Sequence, residues 1–149
     1  MAPMTRRAIM IGLTLAALAA PARAENTFTL DCRVTETEKI DAGSPTTRSH
    51  TLVVSVDLGA RKFFVFEDSS RRYPSGRVET IRALDANSAQ LTAPSEFRHG
   101  TEHSKGSGLG LDLGTLALAE TNVLVDGRTR IETTLRGACE KAPFRPLPK

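Results

Sequence analysis

Phe28-Thr29-Leu30-Asp31-Cys32-Arg33-Val34 decides the fold. Every even position is apolar and every odd position polar, which is the period of a half-buried strand and not of a helix. The same period returns in residues 50–58, where Leu52, Val54, Val56 and Leu58 share one face. It returns again in residues 129–139, where Thr129, Ile131, Thr133, Leu135, Gly137 and Cys139 share one. Both cysteines of the chain, Cys32 and Cys139, therefore point the way the core residues point.

Turns of one kind punctuate these strands: an apolar residue, an aspartate, then Gly or Asn. They stand at Val56-Asp57-Leu58-Gly59, Leu84-Asp85-Ala86-Asn87, Leu111-Asp112-Leu113-Gly114 and Val125-Asp126-Gly127. Asp and Asn bond their own backbone in turns and Gly supplies positive φ, so each marks a hairpin. The expected strands are 27–36, 49–57, 61–67, 77–84, 88–93, 108–112, 115–124 and 128–138. About eight strands in sequence make an all-β antiparallel meander, a closed or nearly closed β-barrel, with a β-sandwich as the alternative.

An even strand count brings the start of the first strand and the end of the last to the same end of a barrel, so Cys32 and Cys139 come within disulfide reach. In an oxidising compartment the two should be bonded. No C-x-x-C is present, so the pair reads as a seam joining the chain ends and not as a redox or metal centre.

Residues 1–24 read as an export signal. Arg6 and Arg7 form its positive start, a nearly unbroken apolar or small run extends from Ala8 to Ala20, and Pro21-Ala22-Arg23-Ala24 ends in a small-x-small cleavage pattern. The run is too short to span a bilayer comfortably. Arg6-Arg7 also resembles a twin-arginine signal, with Ile9 and Met10 in place of the usual Phe-Leu. Either route leads to a periplasmic or secreted protein. Residues 25–149 then form a single β domain ending in a Pro-rich tail at about 141–149.

The chain carries 20 Lys+Arg against 17 Asp+Glu, but Arg6, Arg7 and Arg23 lie in the signal, which leaves 17 against 17. A neutral domain gives no warrant for nucleic-acid binding.

Few residues suggest catalysis. His99 and His103 have i, i+4 spacing, and Glu102 could join them on a metal, but Gly100 argues for a solvated loop in place of a helix, so no metal or other cofactor is expected. His50 opens a strand alone and reads as structural or exposed. No Ser stands in a G-x-S-x-G setting, and Gly106 to Gly110 lacks the strand-turn-helix context of a phosphate loop.

Two features stand out. Residues 94–108 form a long polar connection, of the kind that often carries function. "KFFVF" (62–66) and "NVLV" (122–125) are apolar on both faces. Phe64 and Phe66 are expected to fill the interior and Phe63 and Val65 to form an outward apolar surface, which must be covered by a partner or by Phe144 of the tail.

The export signal, the cysteine of the first strand, "VDLGARKFF" and "GACEKAPF" resemble small uncharacterised exported bacterial β-proteins, a likeness that implies no activity. Ser69-Ser70-Arg71-Arg72-Tyr73 is faintly similar to the Ser-Gly-x-x-Tyr loop of periplasmic lysozyme inhibitors of the C-type class, with Ser70 in place of Gly. That likeness implies an inhibitory role for Ser69 and Tyr73.

The sequence thus favours an exported, non-catalytic binding or envelope-associated module over an inhibitor of a lytic enzyme, with a hydrolase third. The expected binding residues are Ser69, Arg71, Arg72 and Tyr73 on one loop and Arg98, His99 and His103 on another. The ligand is an unspecified protein or a small apolar molecule.

Overall fold

The computed structural model describes residues 26–149, so the export signal expected at 1–24 lies outside the described residues. The described chain forms eleven strands: β1 Thr27–Ile40, β2 Thr46–Asp57, β3 Lys62–Asp68, β4 Glu79–Thr80, β5 Ala83–Leu84, β6 Ser88–Gln90, β7 Ser95–His99, β8 Glu102–Gly106, β9 Gly110–Asp112, β10 Leu118–Asp126 and β11 Thr129–Ala142. All pair antiparallel in one strongly curled sheet of order β4-β3-β2-β1-β11-β10-β9-β6-β5. β8 also pairs with β10, and β7 pairs with β8. No helix among the described residues is long and apolar enough to cross a membrane.

The two-residue period is realised as read. Phe28, Leu30, Cys32 and Val34 of β1 and Leu52, Val54 and Val56 of β2 are buried in one core with Leu111, Leu118 and Leu135. Three of the four aspartate turns are built by their side chains, while Asp126 Oδ1 accepts from Thr101 Oγ1 instead. Asp57 Oδ1 accepts from Ala60 N at 2.8 Å, Asp85 Oδ1 from Asn87 and Ser88 N at 2.7 and 2.8 Å, and Asp112 Oδ1 from Gly114 and Thr115 N at 2.8 and 2.7 Å. Gly127 turns β10 into β11 with φ +60, which a residue bearing a Cβ adopts only under strain.

The strand count differs from eight in two places. The segment expected as one strand at 77–84 is split into β4 and β5, because the chain changes neighbours at Ile81 and Arg82. Ile81 N donates to Arg61 O at 2.9 Å, whereas Arg82 N donates to Gln90 O at 2.8 Å. The connection expected at 94–108 is mostly a hairpin, β7–β8, whose tight turn uses Gly100 at φ +58.

The barrel is open, not closed. β4 and β5 end the strand order and have no ladder between them. A second gap lies at the other end of the sheet. There β2 pairs with β3 only from Leu52 to Asp57, leaving 46–51 with β1 as sole ladder neighbour among the described residues. The cysteines meet through strand adjacency and not through an even strand count: β1 and β11 are neighbours, with Cys32 directly opposite Cys139. The two are bonded, with Cα atoms 4.0 Å apart.

Phe63 and Val65 do not form an outward surface. Val54 pairs with Val65 and Val56 with Phe63, and since the even residues of β2 face the core, so do Phe63 and Val65, up to the bulge that shifts the register between Val53 and Val54. Phe63 is 2% exposed. Phe64 and Phe66 take the outer face, in edge contact at 4.7 Å. The tail covers that face, but not through Phe144, which stays 44% exposed. The Arg145 guanidinium lies 5.4 Å from the Phe66 ring centroid, while Arg145 N donates to Thr29 Oγ1 at 2.8 Å and Arg145 O accepts from Ser55 Oγ at 2.7 Å. These bonds explain how two hydroxyls on the outward side of β1 and β2 are fully buried.

Candidate functional site

Two surfaces bring together chemistry-bearing side chains. The first is inside the sheet, where the core phase of β1 runs from Val34 into Glu36. A charged residue in that phase demands partners, because an unpaired buried carboxylate is costly. It finds them in Arg72, whose Nη2 is 3.5 Å from Glu36 Oε2, and in His50, whose Nε2 lies 3.5 Å from the same oxygen. Arg72 Nη1 also approaches Glu120 Oε1 at 3.7 Å. Glu120 accepts from Tyr73 Oη at 2.5 Å and from Asn122 Nδ2 at 2.6 Å.

The loop that carries Arg72 and Tyr73 is held by Asp68. Ser70 N and Oγ donate to Asp68 Oδ1 at 2.9 and 2.5 Å, and Tyr73 N donates to Oδ2 at 2.8 Å. Burial pushes the Asp68 carboxyl upward, but donors from Ser70, Tyr73 and Arg72 outweigh it and hold the group below its ordinary range. Ser69 Oγ accepts from Thr51 N at 2.9 Å, and Arg71 occupies the turn with φ 56. Tyr73 is only 8% exposed, so this loop presents Arg71 to solvent, reaches Arg72 to Glu36 and Glu120, and turns the tyrosine inward.

Tyr73 is the one tyrosine, and the chain has no tryptophan. Burial first, then the hydrogen bond and charge of Glu120, raise its phenol well above the ordinary value of 10.0. A phenol whose folded pKa exceeds the unfolded one contributes stability that is fully present below pH 10 and is lost as pH rises towards the folded value. Ultraviolet absorbance during alkaline titration should therefore show no phenolate near pH 10 while the protein is folded. Glu120→Gln should move ionisation downward. Phenolate appearing near pH 10 in the folded wild type would contradict this assignment.

The second surface is a groove of about 490 Å³ on the outer face, lined by Pro94, His103, Lys105, Thr121, Val123, Val125 and Arg130 among others. The register explains its composition. Val123 stands opposite Lys105, and Val125 stands between His103 of β8 and Arg130 of β11. An apolar floor from "NVLV" is thus flanked by Lys105 of β8 and Arg130 of β11, with Glu132 of β11 opposite Val123. His103 Nε2 lies 3.1 Å from Glu96 Oε1, and Arg130 Nη2 lies 2.6 Å from Glu132 Oε1.

Of the residues expected on the second loop, His103 lines this groove and Arg98 lies on the same outward side of β7, with its Nη2 3.1 Å from Glu96 Oε1. His99 is separated from them. It pairs with Glu102 on the opposite face and stacks on Phe97 at 6.4 Å between centroids. His99 and His103 thus do not converge on one metal.

Sequence reading missed Glu36, Glu120 and Asn122, and it treated His50 as isolated. The signal was present for Glu36 and Glu120, since each places a carboxylate in the inward phase of a strand. Lys105, Val123 and Val125 become neighbours through the β8–β10 ladder alone. No protein-family model and no curated protein matches this chain.

Proposed function

We propose that the protein is an extracytoplasmic, non-catalytic binding module that holds a small apolar ligand bearing an anionic group in the groove over Val123 and Val125. The observation that carries the reading is the pairing of an apolar floor with Lys105 and Arg130 in one concavity. Its volume of about 490 Å³ lies in the range of small-molecule sites, which are commonly apolar with a few placed polar groups. Lys105 would meet the anionic group and the valines the hydrocarbon. The Cys32–Cys139 bond supports an oxidising compartment, in keeping with export. In this reading β10 and β11 of the curled sheet present the groove.

Anilinonaphthalene sulfonate, an apolar dye with one sulfonate, tests the chemistry directly. Saturable enhancement of its fluorescence by the folded protein is expected. Lys105→Glu should weaken binding roughly fivefold, equivalent to about 1 kcal/mol, and Val123→Asp should abolish it. Absence of saturable binding, or binding indifferent to both changes, would remove the proposal's support.

A further inference from the structure

β7 is an edge strand: all five residues are exposed, and among the described residues it pairs with β8 and with no other strand. Such an edge offers unpaired N–H and C=O groups to another strand. Pro94 precedes it, but no proline or bulge interrupts Ser95-Glu96-Phe97-Arg98-His99.

We propose that this edge pairs antiparallel with the same strand of a second copy, with the two-fold axis beside Phe97. The inference is independent of the groove's ligand.

The hairpin geometry sets which backbone groups are available. β7 and β8 are joined by a two-residue loop, Gly100-Thr101, so His99 and Glu102 form a hydrogen-bonded pair. The direction of N–H and C=O alternates along a strand. Ser95, Phe97 and His99 therefore direct theirs to β8, and Glu96 and Arg98 direct theirs to the free edge. Antiparallel pairing with an identical strand needs outward groups opposite outward groups, which restricts the axis to a residue position.

Charge then selects the register. An axis at Glu96 or at Arg98 sets like charges directly opposite each other, which is destabilising. An axis at Phe97 pairs all five residues and sets Glu96 opposite Arg98 of the second copy, twice. Each of those is a hydrogen-bonded pair carrying an opposite-charge pair on the outer face. Phe97 meets Phe97 of the second copy in the closer, non-hydrogen-bonded position on the inner face.

Phe97 also supplies an independent reason for a partner. It is 52% exposed, and Ile40, at 47%, is another of the exposed large apolar residues. Both belong to a single cross-strand row, Phe97–Ser104–Leu124–Ile131–Ile40, on the face that continues the core. Pairing at β7 buries Phe97 and joins the rows of the two copies.

Five residues per copy bury far less than the roughly 1,600 Å² of a standard interface, so a weak dimer is expected, with Kd on the order of 100 µM. Sedimentation equilibrium of the purified protein at low salt should show a mass rising towards twice the monomer with concentration. Arg98→Glu should weaken association at least tenfold, and Glu96→Arg should do the same. The double variant Glu96→Arg, Arg98→Glu restores opposite charges in the same register and should recover the wild-type Kd. Both side chains are solvent-exposed, so these changes leave the core untouched. A wild type that stays monomeric up to about 1 mM, or single variants that associate as well as wild type, would overturn the proposal, as would a double variant no better than the singles.

Discussion

Reducing the Cys32–Cys139 bond, or replacing both cysteines by alanine, should lower the unfolding free energy by about 4 to 5 kcal/mol. The bond links residues 107 apart in sequence, and in the chain-entropy account a cross-link of that span removes a large set of conformations from the unfolded ensemble. The native side loses little when the bond opens, because β1 and β11 remain paired along twelve positions from Thr29↔Ala142 to Ile40↔Ile131. A loss of this size is a large share of the 5–15 kcal/mol typical of a domain. It should appear as a fall in melting temperature on the order of 15 °C. Denaturant unfolding of oxidised and reduced protein provides the check. A difference below about 1 kcal/mol would show that the staple constrains little.

Phe63→Ala should cost about 3 to 5 kcal/mol, the range for a large aromatic removed from a packed core. Phe66→Ala, three residues further along β3, should cost roughly 1 kcal/mol, since that ring is partly exposed and loses chiefly its contacts with Phe64 and the Arg145 guanidinium. The order of the two is the informative result. Urea midpoints at unchanged slope measure it, and a larger loss for Phe66→Ala would mean that the inward phase of β3 has been assigned backwards.

That contrast shows where the sequence is legible. In 28–34 one parity is apolar and the other polar, so the buried face follows from the residues alone. In "KFFVF" both parities are apolar, and the choice falls to the partner strand. Val54 and Val56 already face the core, and their ladder neighbours Val65 and Phe63 must do likewise. The polar stretch 94–108 failed for the opposite reason. Its hairpin lies at the exposed edge, where Ser, Glu, Arg and His are tolerated on both faces and no hydrophobic alternation marks the strands.

The candidate sites divide in the same way. Arg72, Tyr73 and His103 were visible as residue types, but their roles came from distant strands: Tyr73 from Glu120, Arg72 from Glu36 and Glu120, and His103 from Val125 across the ladder.

By itself the sequence determined the β class, the aspartate turns and the inward phase of both cysteines, because each depends on residues within a few positions of one another. Tertiary structure alone decided that β1 lies beside β11, that the chain changes neighbours at Ile81, that the tail covers Phe66, and that valines and lysine share a groove. Those outcomes depend on which strands become neighbours. Side-chain alternation marks a buried face but carries no label for the strand that will lie next to it.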